Sequence, residues 1–283
     1  MFKLAHKDAP PNQTVYAYIK GQTGWDDAVA SVGARFEPCL SIPNLSINAT
    51  EVMKDVDDLY RRVEPIAWQS GESLKIYGLS LSYNPDNDPS TWKSGSFGDP
   101  RYKSLGKYAY HKKFSEDIQS SSGLKGEYLD SLGFRKTLPQ VALYPHLDSL
   151  LKRFKQPVVR CSTRTLNGNL LYPTPPGDGA LHVDDSPFEV LRINISLSNN
   201  GMFGLQYGDQ EPIFTSAGDN LVINTDVKHR PFMTENCNFL RTNIIIGVTP
   251  WLDYDASKDE WSTNEYFGKI HPYDMVKQGA IFQ

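Results

Sequence analysis

The chain has 283 residues, with a 39% apolar and a 22% charged fraction, ordinary usage for a globular protein and enough length for one large domain. Its net charge of -4 gives no support to nucleic-acid binding through a broad basic surface, while leaving room for a local basic pocket. Three widely spaced cysteines, Cys39, Cys161 and Cys237, argue against a disulfide framework or a structural zinc site, and suit packing roles instead.

The N-terminal MFKLAHKDAPPNQTVY lacks the apolar stretch of a secretory signal, and no run approaches the about 18 apolar residues of a membrane span. A cytoplasmic location is therefore expected, with neither membrane nor nucleic acid as a partner. Asn48-Ala-Thr-Glu51 reads as a helix start with Asn48 as N-cap, followed by Val52, Val56, Leu59 and Val63 at helical spacing and stopped by Pro65. The acidic DVDDLYRR inside it reads as a solvated helix face. KIYGLSLSY (75–83) reads as a strand, and 83–102 as a long Pro/Gly/Ser/Asp-rich loop. Short helices are expected near 113–121 and 124–132. Leu147, Leu150, Leu151 and Phe154 mark an amphipathic helix with Pro145 near its start.

After Pro157 the pattern changes. VVRCSTRTL (158–166), ALHVD (180–184), VLRINISLS (190–198), MFGLQY (202–207), NLVIN (220–224) and FLRTNIIIGV (239–248) read as short strands separated by Gly/Asn/Pro turns. The expected class is mainly β with flanking helices, built on a jelly-roll, cupin-like core. One domain is expected over 1–283: an accessory region over 1–155 that shapes a substrate pocket, the core over 156–250, and a C-terminal extension over 251–283 that wraps back through Trp251, Trp261, Tyr266 and Phe267.

Residues i and i+2 of a strand share a face, about 6.6 Å apart along it, so a strand would aim His182 and Asp184 at one ion. The chain carries its own control: His146-Leu147-Asp148 is also H-x-D but falls in the amphipathic helix, so the tripeptide alone means little. Two imidazoles and one carboxylate suit a non-haem Fe(II) centre with open positions, and His229 supplies the second imidazole. Asp226 lies close enough in sequence to orient His229. Asp185 should point to the opposite face from Asp184 and take no part in ligation. Polar residues alternate with apolar ones on three strands: Arg192, Asn194 and Ser196; Arg241 and Asn243; Arg160, Ser162 and Arg164. Such faces either meet water or line a hydrophilic pocket, where guanidinium groups would fork onto a carboxylate. The plainer alternative for Arg192 is an ion pair with Glu189 or Asp185.

With H-x-D, the later His and the basic residue after it in place, the sequence resembles the Fe(II)/2-oxoglutarate-dependent dioxygenases, over about 180–248. The R-x-N strand after the first histidine is most similar to the aspartyl/asparaginyl β-hydroxylase-like branch and, more loosely, to the amino-acid hydroxylases. That branch often has His where this chain has Asn194. The resemblance implies a double-stranded β-helix. It also implies Fe(II) held by His182, Asp184 and His229, and 2-oxoglutarate as cosubstrate on Arg241 and Arg192, with Asn194 nearby and Arg160, Arg164 and Asn243 as further pocket residues. Activity would consume O2, release succinate and CO2, and hydroxylate an amino acid, a peptidyl side chain or another small metabolite. Retention of Asp184 points to hydroxylation rather than halogenation. The 83–102 loop and PTPPGDG, before His182, are lid candidates. The competing readings are a metal-dependent cupin-type enzyme without 2-oxoglutarate, and a non-catalytic jelly-roll binding module.

Overall fold

The computed structural model describes residues 1–10, 14–42, 44–70, 74–86, 89, 92–93, 131–167, 181–233 and 239–283. The expected loop at 83–102 lies largely outside these residues, as do most of the two expected helices after it, PTPPGDG and Cys237.

The helices are α1 (Val15–Thr23), α2 (Trp25–Val32), α3 (Ala49–Arg62), α4 (Pro145–Leu151) and α5 (Pro272–Lys277). The strands are β1 (Lys3–Ala5), β2 (Cys39–Ser41), β3 (Ile66–Ser70), β4 (Leu74–Gly78), β5 (Ser82–Tyr83), β6 (Lys136–Thr137) and β7 (Val159–Asn167). They continue with β8 (Leu191–Ser196), β9 (Asn200–Tyr207), β10 (Ile213–Ser216), β11 (Asn220–Ile223), β12 (His229–Met233), β13 (Leu240–Val248), β14 (Leu252–Asp255) and β15 (Glu260–Thr263). No helix among the described residues is long and apolar enough to cross a membrane.

Two antiparallel sheets make the core. The large one runs β2-β11-β8-β13-β7-β4-β3 and the small one β10-β9-β12. Going along the chain from β8, the strands fall in the large, small, small, large, small and large sheets, and His182 extends the small one by an isolated bridge to His229. That winding is a jelly roll, a double-stranded β-helix. The N-terminal part contributes β2 on one side of its large sheet and β4 and β3 on the other.

The two faces of the large sheet have different jobs. Leu191, Ile193, Ile195, Ile244, Ile246 and Val248 join the main apolar cluster with residues of the helices. Tyr60 of α3 donates its hydroxyl to Thr163 of β7 at 2.8 Å, which fixes this as the helix-covered face. The opposite face looks at the small sheet: Ser196 of β8 donates to Thr215 of β10 at 3.1 Å. The polar alternation in β8 is thus turned inward, and all six of its residues are buried.

The helices follow from local chemistry. The Asn48 side chain accepts from the Glu51 N–H at 3.3 Å, capping α3, while Val52, Val56 and Leu59 face inward. Asp55 of α3 then accepts from the His146 and Leu147 N–H groups at 2.8 and 2.9 Å, satisfying the start of α4. This helix carries the second H-x-D, whose His146 lies 3.8 Å from Glu51 and joins no metal-ligand cluster among the described residues. Trp25, Trp251, Phe267 and Phe188 pack in tilted and edge-to-face pairs at 5.1–5.4 Å between centroids, joining α2 to the C-terminal residues. Fully burying side chains of this size contributes about 1.5–3 kcal/mol each.

Three expectations are corrected. KIYGLSLSY is not one strand: it breaks into β4 and β5, with Ser80 reaching β7 through a single bridge. ALHVD is not a ladder strand either, since only the His182 bridge forms. The alternation assumed for VVRCSTRTL fails at Arg160, which has φ +46° where the pairing with β13 skips between Ile245–Ser162 and Gly247–Val159. This is a bulge, with two β7 residues opposite one of β13, and it re-aims the Arg160 side chain.

Candidate metal centre

His182 and His229 face each other across the small sheet. Their backbones exchange both hydrogen bonds, His182 N–H to His229 O at 3.0 Å and the reverse at 2.9 Å, and their ring centroids are 4.5 Å apart. Asp184 is anchored through its own N–H, which donates to Thr225 O at 3.0 Å. Its carboxylate oxygen lies 3.8 Å from His182 Nε2 and 3.9 Å from His229 Nε2. One ligand atom from each of the three lies within 4.8 Å of the others. Donors at about 2.0–2.2 Å from one ion sit roughly 3 Å apart, so side-chain adjustments of about 1 Å would close the set.

The protonation states suit ligation. His229 Nδ1 is 2.8 Å from the Val227 carbonyl, a bond that needs the proton on Nδ1 and leaves Nε2 as a lone-pair donor toward Asp184 and His182. Burial, chiefly, lowers the pKa of His229 and keeps the ring neutral. Asp184 is held down at about 2: burial works against its charge, but nearby positive charge, that of Arg192 above all and of Arg164 beside it, outweighs burial. The Val227 carbonyl does the orienting expected of Asp226, whose own carboxylate accepts from Ser186 Oγ at 3.2 Å. A backbone carbonyl leaves no trace in a sequence.

Arg241 is buried on the inward face of β13, with its guanidinium 5.7 Å from the centroid of the Phe203 ring on β9. It makes no hydrogen bond or ion pair with another described residue, and its buried Nε is unsatisfied. Burial alone lowers its pKa to about 10. Asn243, on the same face, donates to Asn194 of β8, and the Asn243 carbonyl oxygen is left without a donor among the described residues. Arg164 of β7 pairs in register with Asn243; its Nε lies 3.4 Å from Ser162 Oγ, and burial lowers its pKa to about 10 against the favourable charge of Asp184. Arg192 and Arg160 are drawn elsewhere: both reach the carboxylate of Asp185. Cys161 packs in the main apolar cluster, where burial pushes its thiol pKa up. The Arg192–Asp185 pair is the plainer alternative that the sequence offered for Arg192; the second arginine on Asp185, Arg160, had no signal there.

No protein-family model and no curated protein matches the sequence. Among solved structures, the chain is similar to a 2OG-Fe(II) oxygenase family oxidoreductase from Burkholderia pseudomallei, at 12% identity over 82% of this chain and 88% of that one, TM-score 0.37. It is also similar to a prolyl hydroxylase from Trichoplax adhaerens, described with a hypoxia inducible factor peptide fragment, at 11% identity over 84% and 94% of the two chains, TM-score 0.35. A third is a non-heme alpha ketoglutarate dependent epimerase from nogalamycin biosynthesis, at 9% identity over 75% and 77%, TM-score 0.36. The geometry of the site itself carries the functional reading.

Proposed function

We propose that the chain is an Fe(II)- and 2-oxoglutarate-dependent dioxygenase that hydroxylates an unactivated C–H bond of an amino acid, a peptidyl side chain or another small metabolite. The observation that carries this is Arg241, a buried cation without an anionic partner among the described residues, on the inward face opposite the strand that leads to the His182–Asp184–His229 cluster. A guanidinium is retained in such a place when a ligand supplies the missing charge, and its planar fork matches a carboxylate.

His182, Asp184 and His229 would hold the iron, leaving open positions for the cosubstrate and O2. Iron held there would supply, with 2-oxoglutarate and O2, the oxidising power, with succinate and CO2 as by-products. The protein's own part is orientation. The backbone exchange between His182 and His229 sets the angle between the two imidazoles, and the Val227 carbonyl fixes the His229 tautomer.

Arg241 would take the far carboxylate of 2-oxoglutarate. Phe203, beside Arg241, and Tyr207, paired with His229, share the inward face of β9 about 13 Å apart along the strand. An arginine side chain and a metal-bound five-carbon diacid can divide that span between them. Phe203 and Met233, both buried, keep water from the guanidinium and so strengthen its attraction for the carboxylate. Asn194 and Asn243 offer uncharged hydrogen-bonding groups along the same face.

The test is succinate formation from 2-oxoglutarate by the full chain with Fe(II), paired with calorimetric titration of 2-oxoglutarate into protein loaded with a redox-inert divalent metal. Iron-dependent succinate that disappears in His182→Ala, and 2-oxoglutarate binding lost in Arg241→Gln, are expected. Metal binding without any 2-oxoglutarate binding would overturn the assignment and favour a cupin-type metalloenzyme.

A further inference from the structure

Asp184 is a ligand candidate held by unusually little. Its side chain is about half exposed, and its carboxylate meets no hydrogen-bond donor among the described residues. The segment that carries it has one bridge at His182 and no ladder. What fixes it lies on the next residue. Asp185 accepts from Arg160 Nη1 with both carboxylate oxygens, at 3.0 and 2.9 Å, and from Arg192 Nη2 with one. Its backbone carbonyl accepts from Thr225 Oγ1, while Thr225 O takes the Asp184 N–H. Thr225 thus holds the peptide groups that flank the Asp184–Asp185 pair, and two arginines of the large sheet hold the Asp185 carboxylate.

Both arginines are placed for this contact. Arg192 is a buried residue of β8, next to Gly247 of β13 in the ladder. Arg160 reaches Asp185 because the bulge puts it at φ +46°, a conformation costly for a residue with a side chain. The chain bends at Asp185: its carboxylate meets Arg160 and Arg192 of the large sheet, while that of Asp184 lies 3.8 and 3.9 Å from His182 and His229, so holding the one carboxylate fixes where the other is presented.

We propose that Asp185, clamped by Arg160 and Arg192, is a positioning residue that presents the Asp184 carboxylate to the metal, and that Arg192 serves this clamp rather than the cosubstrate. The proposal rests on the metal-site reading above. It assigns Arg160 a role in the site despite its lying off the inward face, and it divides the arginines of the site into a clamp (Arg160, Arg192) and a ligand arm (Arg241).

The experiment is Co(II) titration of the full-length chain, read by the visible d–d absorption of the bound ion, for wild type, Asp185→Asn, Arg160→Gln, Arg160→Lys and Arg192→Gln. Substitutions just behind a ligand set typically weaken metal affinity about 10–100-fold. Asp185→Asn, Arg160→Gln and Arg192→Gln are expected to lose affinity in that range with an altered absorption band, and Arg160→Lys to recover part of it. Asp259→Asn, which loosens the separate Arg135 cluster, controls for general loss of stability: it should lower the melting temperature and leave Co(II) affinity unchanged. Calorimetry on the Co(II)-loaded proteins supplies the second readout, with 2-oxoglutarate affinity falling in Arg241→Gln and retained in Arg192→Gln at saturating metal. Unchanged Co(II) affinity and spectrum in Asp185→Asn and Arg160→Gln would overturn the proposal. So would loss of 2-oxoglutarate affinity in Arg192→Gln with metal affinity intact. Failure of the wild type to bind Co(II) would instead strike the metal-site reading itself.

Discussion

His182 and His229 hold one another through the backbone, each donating its N–H to the other's carbonyl at 2.9–3.0 Å, before any metal is considered. The pairing does not need either imidazole, so ligand and scaffold are separable at this point. His182→Ala is expected to abolish stoichiometric metal binding, by elemental analysis after anaerobic iron loading, while moving the melting temperature of the metal-free chain by no more than a few degrees, because its side chain is about half exposed. His229→Ala should lose metal equally and cost more stability, since that ring is buried.

Arg241 is stored at a cost. A buried guanidinium whose pKa is lowered by desolvation alone weakens the fold that contains it. Arg241→Met keeps the volume and removes the charge, and is expected to raise the unfolding free energy of the ligand-free chain by on the order of 1–3 kcal/mol in urea titrations. The same variant should lose 2-oxoglutarate binding. A destabilised Arg241→Met would show that the arginine contributes to the scaffold rather than awaiting a ligand.

Gly247 permits the bulge that aims Arg160. A Cβ placed on it would sit 2.4 Å from the Val159 carbonyl oxygen and 2.8 Å from a Val190 methyl, both in the packed sheet. Gly247→Ala is therefore expected to cost about 2 kcal/mol or more, read as a lower denaturant midpoint.

Away from the site, Arg135 ties the chain ends together. It is almost fully buried and reaches Asp259 with Nε and Nη2 at 2.5 and 2.9 Å, and Asp86 with Nη2 at 2.9 Å. Burial would raise the Asp259 pKa, but the Arg135 bonds and the Tyr254 hydroxyl outweigh it and lower the value. A depressed folded pKa means stability that is present above the ordinary carboxylate value of 3.8 and is lost as pH falls through the folded one. Asp259→Asn should lower stability by about 1 kcal/mol at neutral pH, because the carboxylate is partly exposed and screened. It should also flatten the acid limb of the urea midpoint against pH; an identical acid limb in the two proteins would count against the pair.

Much of this was legible in the chain because the signals are local. The Asn48 cap, the helical spacing of Val52, Val56 and Leu59, and the inward polar row of Arg192, Asn194 and Ser196 each follow from a few adjacent residues. That His182, Asp184 and His229 lie together, apart from the His146 pair on its helix, agrees with the spacing of the sequence, although the strand expected to aim the first two is reduced to one bridge. The illegible parts are those set by distant partners. The bulge at Arg160 depends on how closely Gly247 approaches Val159. The His229 tautomer depends on a carbonyl rather than a side chain. Asp185 reads from the sequence as a non-ligand and as one candidate partner of Arg192, and what the sequence lacks is the second arginine that the bulge brings to it.

The strands that the N-terminal part lends to the large sheet carry one more consequence. β2 covers β11 and β4 covers β7, so neither of these jelly-roll strands shows open N–H and C=O groups on its outer side. A fragment cut to residues 156–250 would bare both edges at once, along with the apolar face beneath α3. Such edges template pairing with other chains. Trimming toward the jelly roll should therefore yield aggregates rather than a minimal folded core, which makes the first 80 or so residues (about the span up to β5) a guard against self-association as much as a frame for the candidate site.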